Sequence, residues 1–282
     1  MSLSWDIHYP DRTVLKNEVN NMLQAFVEVL LEEIPDSEIK AIYHKGSAQK
    51  DWDSPLDYVP EISDIDVHLL FHDDSSVNKH FGSVVQAVNI QSKVEKRYFS
   101  KKTKPIHVPR PQLVILNQLL QDEDYIPTPK IAISVLYGED YPETDYSSPE
   151  RIMHIDCRRL ISEESFLLRF PLHTVDRPSR YLWESLRLLV WHVSPTGPRA
   201  LHLLGVPTEK AWSINRTSTV TLLREIGERQ LAQDYSDFYL FGWEYFISKY
   251  SNTDAGRSSL VSGVRALSRG VEIAKSWLSR HQ

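Results

Sequence analysis

The stretch Ser63-Asp64-Ile65-Asp66-Val67-His68-Leu69-Leu70-Phe71 alternates polar and apolar side chains and predicts the strand on which the fold depends. Because successive side chains on a strand point to opposite faces, this strand has one apolar and one polar face. The apolar face carries Ile65, Val67, Leu69 and Phe71, and the polar face carries Asp64, Asp66 and His68, with His72 following. The two aspartates therefore point the same way, with Cα atoms about 7 Å apart.

The segment upstream of this strand supplies a second motif. Residues 39–43 predict a short strand that runs directly into Lys45-Gly46-Ser47. A glycine there lets a phosphate approach the backbone, and the Ser47 hydroxyl can donate to it. A helix beginning just afterwards would add free N–H groups that favour an anion. Two neighbouring carboxylates repel each other unless a divalent cation such as Mg²⁺ lies between them. The order of the two motifs predicts a triphosphate cradle that faces a metal-binding pair.

The remaining patterns divide the chain into an α+β half and an all-α half. Residues 14–34 and 78–101 have helical periodicity, residues 106–116 predict a strand, and residues 131–137 fit either a helix or a strand. After residue 149 the long patterns are helical. We therefore expect residues 1–150 to form a domain with a mixed sheet flanked by helices, and residues 151–282 to form a helical domain.

Composition narrows the functional classes. Of the 282 residues, 41% are hydrophobic and 25% are charged, as in ordinary globular proteins. The single cysteine, Cys157, excludes a disulfide framework and fits a reducing cytosol. The net charge of −6 argues against a dedicated nucleic-acid binder. No apolar run is long enough to span a bilayer, and the first residues do not resemble a signal peptide, so a cytoplasmic location is expected.

The motifs resemble the signature of the nucleotidyltransferase superfamily, which has the DNA polymerase beta-like fold. Gly46-Ser47 and Asp64-Ile65-Asp66 carry the resemblance. The layout, with its helical second half, is similar to that of bacterial aminoglycoside nucleotidyltransferases. Residues 135–140 resemble the segment that closes the catalytic domain of those enzymes. The resemblance implies transfer of a nucleoside monophosphate from ATP or another triphosphate to a hydroxyl of a small molecule.

Carried over residue by residue, the resemblance implies that Asp64 and Asp66 are catalytic and hold Mg²⁺, while Gly46 and Ser47 hold the phosphates. Lys210, in Thr208-Glu209-Lys210-Ala211-Trp212, is implied as a phosphate ligand, unless it is simply a surface lysine. The family generally has a third carboxylate, and Gln112 stands about where that acid is expected. A glutamine cannot serve as a general base. The sequence therefore leaves the general base unassigned, and a catalytically silent nucleotide-binding protein is the second hypothesis.

Several residues and the identity of the acceptor are open to two interpretations. Transfer to a protein or an RNA is a further possibility, with the net charge disfavouring RNA. His68 and His72 are expected to be polar residues on the open side of the sheet, or else additional metal ligands. Glu139 and Asp140 could lie near a catalytic base position or be ordinary loop carboxylates. Two further sets are expected to be solvated, unless they have a functional role. They are the acidic residues Asp51, Asp53, Asp57 and Glu61, and the basic run from Lys93 to Lys104.

Overall fold

The computed structural model describes residues 4–101, 104–143 and 148–281, which form an α+β protein. Two compact units are present. The sheet unit contains Trp5–Lys50 and Ser63–Thr144, and the helical unit contains Asp51–Ile62 and Asp145–Gln282. The sequence places all of residues 1–150 in one domain, whereas the structure groups Asp51–Ile62 with the helices.

Within the described residues, a mixed four-stranded sheet forms the centre of the sheet unit. The strands are β1 (Ile39–Lys45), β2 (Ile65–Phe71), β3 (Pro111–Ile115) and β4 (Ser134–Gly138), in the spatial order β3-β2-β1-β4. β1 is antiparallel to both β2 and β4, while β2 and β3 are parallel. Of the ambiguous residues 131–137, residues 134–137 belong to β4, and residues 131 and 132 form part of a short 3-10 turn. The helices of this unit are α1 (Arg12–Glu33), α2 (Ser75–Phe81), α3 (Val84–Lys101) and α4 (Leu116–Leu120).

The alternation in β2 predicts its buried face correctly. Ile65, Val67 and Leu69 are fully buried, and Phe71 is nearly so. The strand predicted over residues 106–116 is shorter than expected, because β3 begins only at Pro111. Proline cannot donate to a ladder, which makes it suitable at the first position of a strand.

The residues before β3 are held by a buried carboxylate of α1. Glu18 accepts hydrogen bonds from the backbone N–H of Ile106 at 2.7 Å and of His107 at 3.3 Å. Its carboxylate also lies 2.9 Å from Nδ1 of the buried His107 ring. Burial raises the pKa of Glu18, but these hydrogen bonds outweigh burial and leave the pKa below its usual value. The buried pair therefore fixes the backbone that leads to Arg110.

The single helix predicted over residues 78–101 is divided into α2 and α3 by Gly82 and Ser83. On α3, the expected solvated basic run contacts an acidic stripe of α1. The ion pairs join Lys93 to Glu33, Arg97 to Glu32, and Lys101 to Glu28. Lys96 and Lys104 are exposed, and Lys102 lies outside the described residues. Because three charges of the run are matched within the fold, the arrangement favours a surface role over phosphate steering.

The helical unit contains α5 (Pro149–Arg169), α6 (Leu182–Val193), α7 (Thr196–Leu203), α8 (Thr208–Ser213), α9 (Arg216–Ile226), α10 (Arg229–Ile247) and α11 (Thr253–His281). The segment Asp51–Ile62 is part of its core. Trp52 and Leu56 are 1% exposed, and the Trp243 indole N–H donates to the Pro55 carbonyl at 2.7 Å. Among the residues described, no helix combines the length and the apolar character needed to span a bilayer.

Candidate functional site

Three side chains form a row across neighbouring strands of the sheet. Lys45 on β1 is paired in register with Asp66 on β2, and Asp66 is paired with Gln112 on β3. Residues paired across a sheet share a face, with Cβ atoms of an antiparallel pair about 5 Å apart. The sequence-predicted Asp66 and Gln112 are therefore neighbours, and a lysine stands on the other side of the aspartate.

Gly46 lies directly against the Asp66 carboxylate. A Cβ at Gly46 would come within 1.8 Å of Asp66 Oδ2, closer than any real contact. Its φ of +84° also lies in the left-handed region, which side chains disfavour. The glycine is thus required twice, by its backbone conformation and by the approach of the carboxylate. The sequence motifs assign Gly46 and Asp66 to one site, and the structure brings them together.

The helix considered after Gly46-Ser47 does not form. Residues 47–49 make a turn, with the Lys50 N–H donating to the Gly46 carbonyl at 3.4 Å. Ser47 is a half-buried residue of this turn. The chain then leaves the sheet unit at Asp51, and Trp52 is buried in the helical unit. No helix dipole is available for an anion at this position, so backbone and side-chain donors alone would have to bind it.

Asp64 is bound by an arginine that sequence reasoning did not assign. The Arg110 guanidinium donates to both carboxylate oxygens, from Nε at 2.9 Å and from a terminal nitrogen at 2.6 Å. The Asp64 side chain is only 7% exposed, whereas that of Arg110 is 43% exposed. The buried carboxylate is therefore covered by a half-exposed cation, in the bidentate geometry that suits this pair.

The electrostatics of the row are set by burial. Burial lowers the pKa of the Lys45 ammonium, and the charge of Asp66 opposes that shift. Lys45 Nζ donates to Thr128 Oγ1 at 3.2 Å. His68, the next residue on this face of β2, is 1% exposed, and burial together with Lys45 lowers its pKa to about 2. His68 is therefore a neutral ring and a weak base near pH 7.

The expectation that His68 lies on an open side of the sheet is wrong. The Tyr141 hydroxyl covers it, 3.3 Å from His68 Nδ1, and the Tyr125 hydroxyl lies 2.8 Å from that of Tyr141. Tyr125 follows α4 and Tyr141 follows β4, and both pack in one cluster with Tyr43 and Leu70. His72, in contrast, is exposed.

The acids Glu139 and Asp140 lie outside the row. They follow β4 as exposed residues that pair with Lys40 and Lys130. The Lys130 hydrogen bond lowers the pKa of Asp140. Both are therefore loop carboxylates engaged in surface ion pairs. Lys210 is exposed on α8 and belongs to the helical unit, whereas the glycine and the two aspartates of the candidate site flank the sheet.

Asp57 is not the solvated loop residue that the sequence predicts. It is 1% exposed and accepts from the backbone N–H groups of Asp53, Ser54 and Thr217 at 2.8 to 3.0 Å. The Thr217 hydroxyl donates to it as well, at 2.7 Å. Burial raises its pKa, and these hydrogen bonds oppose the shift. Asp57 thus attaches its segment to the start of α9.

A second polar cluster lies buried in the helical unit. His202 Nδ1 lies 2.8 Å from Asp156 Oδ2, and its Nε2 lies 2.7 Å from Thr208 Oγ1. All three residues are at most 7% exposed. The cluster joins α5, α7 and the start of α8, and it satisfies polar groups that would otherwise be costly to bury.

The residues that sequence reasoning missed carry a detectable signal. Arg110 stands two positions before Gln112, and Lys45 stands two positions after Tyr43. Because side chains two positions apart on a strand share a face, Arg110 lies on the face of Gln112, and Lys45 lies on the face of Tyr43. What no single strand reveals is that β2 and β3 pair in the register that sets Arg110 beside Asp64.

The donor set of the site is suited to a hard cation. Asp64, Asp66 and the Gln112 amide offer oxygen ligands, which Mg²⁺ prefers. Among the described residues, however, no cluster of three or more His, Cys, Asp or Glu side chains is arranged to hold a metal. Phosphate or water oxygens would have to complete the shell, and Asp64 is available only when Arg110 leaves it.

Comparisons of this chain with protein-family models, with curated proteins and with solved structures gave no match.

Proposed function

We propose that the sheet unit is a nucleotidyltransferase-like domain that binds a nucleoside triphosphate along the row Lys45–Asp66–Gln112. The observation that carries the proposal is the contact of Gly46 with Asp66, two positions after Asp64. It supports a site at one end of the two central strands, where Gly46, which has no Cβ, lies against one member of the carboxylate pair. Lys210 belongs to the helical unit, and its role as a phosphate ligand stays a prediction.

The proposed reaction transfers a nucleoside monophosphate to a hydroxyl of a small acceptor. The acceptor oxygen bonds to the α-phosphorus as the bond to pyrophosphate breaks. Asp64 and Asp66 would hold Mg²⁺, with the Gln112 carbonyl beside them. When bound, Mg²⁺ would neutralise phosphate charge and stabilise the leaving pyrophosphate. Lys45, beside Asp66 in the row, would donate hydrogen bonds to the phosphate oxygens. The hydroxyl proton would pass to solvent or to the released pyrophosphate, because His68 is a weak base and Gln112 is not a base.

A second candidate function is nucleotide binding without catalysis, in a regulatory protein. The Arg110–Asp64 pair and Gln112 favour it, because one carboxylate is already neutralised and the third acid is replaced. Transfer to a protein or RNA acceptor is a variant of the first proposal. It uses the same site with a larger acceptor.

Calorimetry with ATP, GTP, CTP and UTP, with and without Mg²⁺, tests the binding step. We expect one triphosphate to bind the wild type with Mg²⁺, and Asp66→Asn to weaken binding at least about tenfold, or 1.4 kcal/mol. Glu95→Gln, at an exposed position of α3, is the matched control and should bind normally. Failure of the wild type to bind any of the four triphosphates would refute the proposal.

Pyrophosphate release separates the candidate functions. Release with small hydroxyl acceptors, abolished in Asp66→Asn, supports the transferase, whereas binding without release supports the silent protein. Incubating a lysate with labelled triphosphate distinguishes a macromolecular acceptor from a small one.

A further inference from the structure

The Asp64–Arg110 pair has an unequal exposure that shows which partner can leave. The carboxylate is nearly buried, and the guanidinium above it is 43% exposed. Arginine carries a weakly hydrated, planar cation that binds a carboxylate and a phosphate with the same fork of donors. Its side chain can therefore move into solvent or to another anion, whereas Asp64 stays in place.

The backbone under Arg110 is fixed on both sides. Pro109 and Pro111 restrict the chain, and the Arg110 carbonyl accepts from the Ile65 N–H at 3.0 Å. Upstream, Glu18 holds the backbone of residues 106 and 107. The guanidinium can therefore move by rotation of the side chain, without loss of a strand pair.

We propose that Arg110 is a displaceable cap that competes with a divalent cation for the Asp64 carboxylate. The inference rests on the proposed function for the location of the metal pair, but it concerns this chain's own arginine. While the cap is in place, both oxygens of Asp64 are bound to the guanidinium and covered by it. Once Arg110 turns away, the carboxylate oxygens become accessible to a cation.

The cap couples metal binding to phosphate binding. A released guanidinium stays tethered next to Asp64 and is well suited to pair with the phosphates of a bound nucleotide. Each ligand then removes part of the cost of binding the other, so the two affinities rise together. In the absence of nucleotide, the wild type should bind a divalent cation weakly.

Mn²⁺ alone, without nucleotide, is the probe that tests the cap. Electron paramagnetic resonance of free Mn²⁺ would give affinities for the full chain, and circular dichroism would verify folding. We expect Arg110→Gln to bind Mn²⁺ at least about tenfold more tightly than the wild type. The gain should disappear in Arg110→Gln/Asp64→Asn. Arg97→Gln is the matched control, since Arg97 forms a bidentate pair with Glu32 at an exposed position.

An unchanged or lower affinity in Arg110→Gln would overturn the proposal, as would a gain that survives loss of Asp64. If Arg110→Gln does not fold, Arg110→Lys replaces it. Lysine keeps the charge but loses the fork, and we expect a smaller gain than for glutamine. Absence of any gain in that variant also counts against the cap. Nucleotide binding does not enter this test. If Arg110→Gln gains Mn²⁺ affinity but the wild type binds no triphosphate, the cap is supported and the proposed function is refuted.

Discussion

Replacing Gly46 with alanine perturbs both the backbone and the carboxylate of the candidate site. At a φ of +84°, an L-residue with a side chain costs about 1–2 kcal/mol. The new Cβ would stand 1.8 Å from Asp66 Oδ2, and contacts below 3.0 Å are essentially never observed. The carboxylate must therefore move by at least about 1.2 Å, the difference between these two distances. Because a side-chain end moves easily, the displacement should affect binding more than stability.

Gly205→Ala is a matched control for Gly46→Ala. Gly205 has a φ of +97°, and a Cβ there meets nothing within 4 Å. Both variants force alanine into the left-handed region, so chemical unfolding should give similar costs of about 1–2 kcal/mol. Calorimetry should then show a loss of Mg²⁺-dependent triphosphate affinity of at least about tenfold, or 1.4 kcal/mol, in Gly46→Ala alone.

Two results would refute this reasoning. Unchanged triphosphate affinity in a folded Gly46→Ala protein would mean that the position of Asp66 is irrelevant to binding. An equal loss of affinity in Gly205→Ala would mean that general destabilisation, rather than the contact with Asp66, is responsible.

Three further predictions concern buried polar groups. Burial lowers the pKa of His44 from 6.5 to about 4. As the pH falls, the unfolded chain therefore binds a proton at this ring before the folded protein does. The contribution of the neutral ring to stability is complete above pH 6.5 and is lost as the pH falls from 6.5 through 4. Between pH 7 and pH 4, the unfolding free energy of His44→Leu should fall by about 3 kcal/mol less than that of the wild type, measured by urea unfolding. His72→Leu, at an exposed position, should lose as much stability between these pH values as the wild type. Asp57→Ala leaves buried donors of Thr217 and its own segment unpaired, and should cost about 1–3 kcal/mol in urea unfolding. An effect below about 0.5 kcal/mol would contradict the buried role. His202→Leu removes the ring donor of the buried Asp156 carboxylate and should lower the unfolding free energy by a similar amount, measured by urea unfolding, and an unchanged value would contradict this role.

The first two strands and the placement of Gly46 and Asp66 in one site were predictable, because local periodicity marks β1 and β2 and their order brings the two motifs together, whereas the pattern of residues 131–137 left helix and strand undecided. The resemblance placed Gln112 near the aspartate pair, and the register of β2 with β3 sets it beside Asp66. The two strands are encoded within short stretches, whereas the contact of Gly46 with Asp66 depends on how β1 pairs with β2.

What the sequence did not predict depends on contacts between distant residues. The acids and prolines around Trp52 indicate a solvated loop, yet the partners that bury the segment, Thr217 and Trp243, lie 160 and 188 positions from the residues they contact. Arg110 was missed for the same reason. Its role follows from the register of β2 against β3, which the whole unit determines.

The grouping of Asp51–Ile62 with the helices has a consequence for how this protein can be divided. The chain leaves the sheet unit after Lys50 and returns at Ser63, so neither unit is one continuous piece of sequence. A fragment that ends near residue 150 would keep Trp52 and Leu56 but lose the helices that bury them. Such a fragment would expose apolar surface and tend to aggregate. Genetic exchange of either half at a single crossover would meet the same obstacle, so the two units are expected to be inherited together.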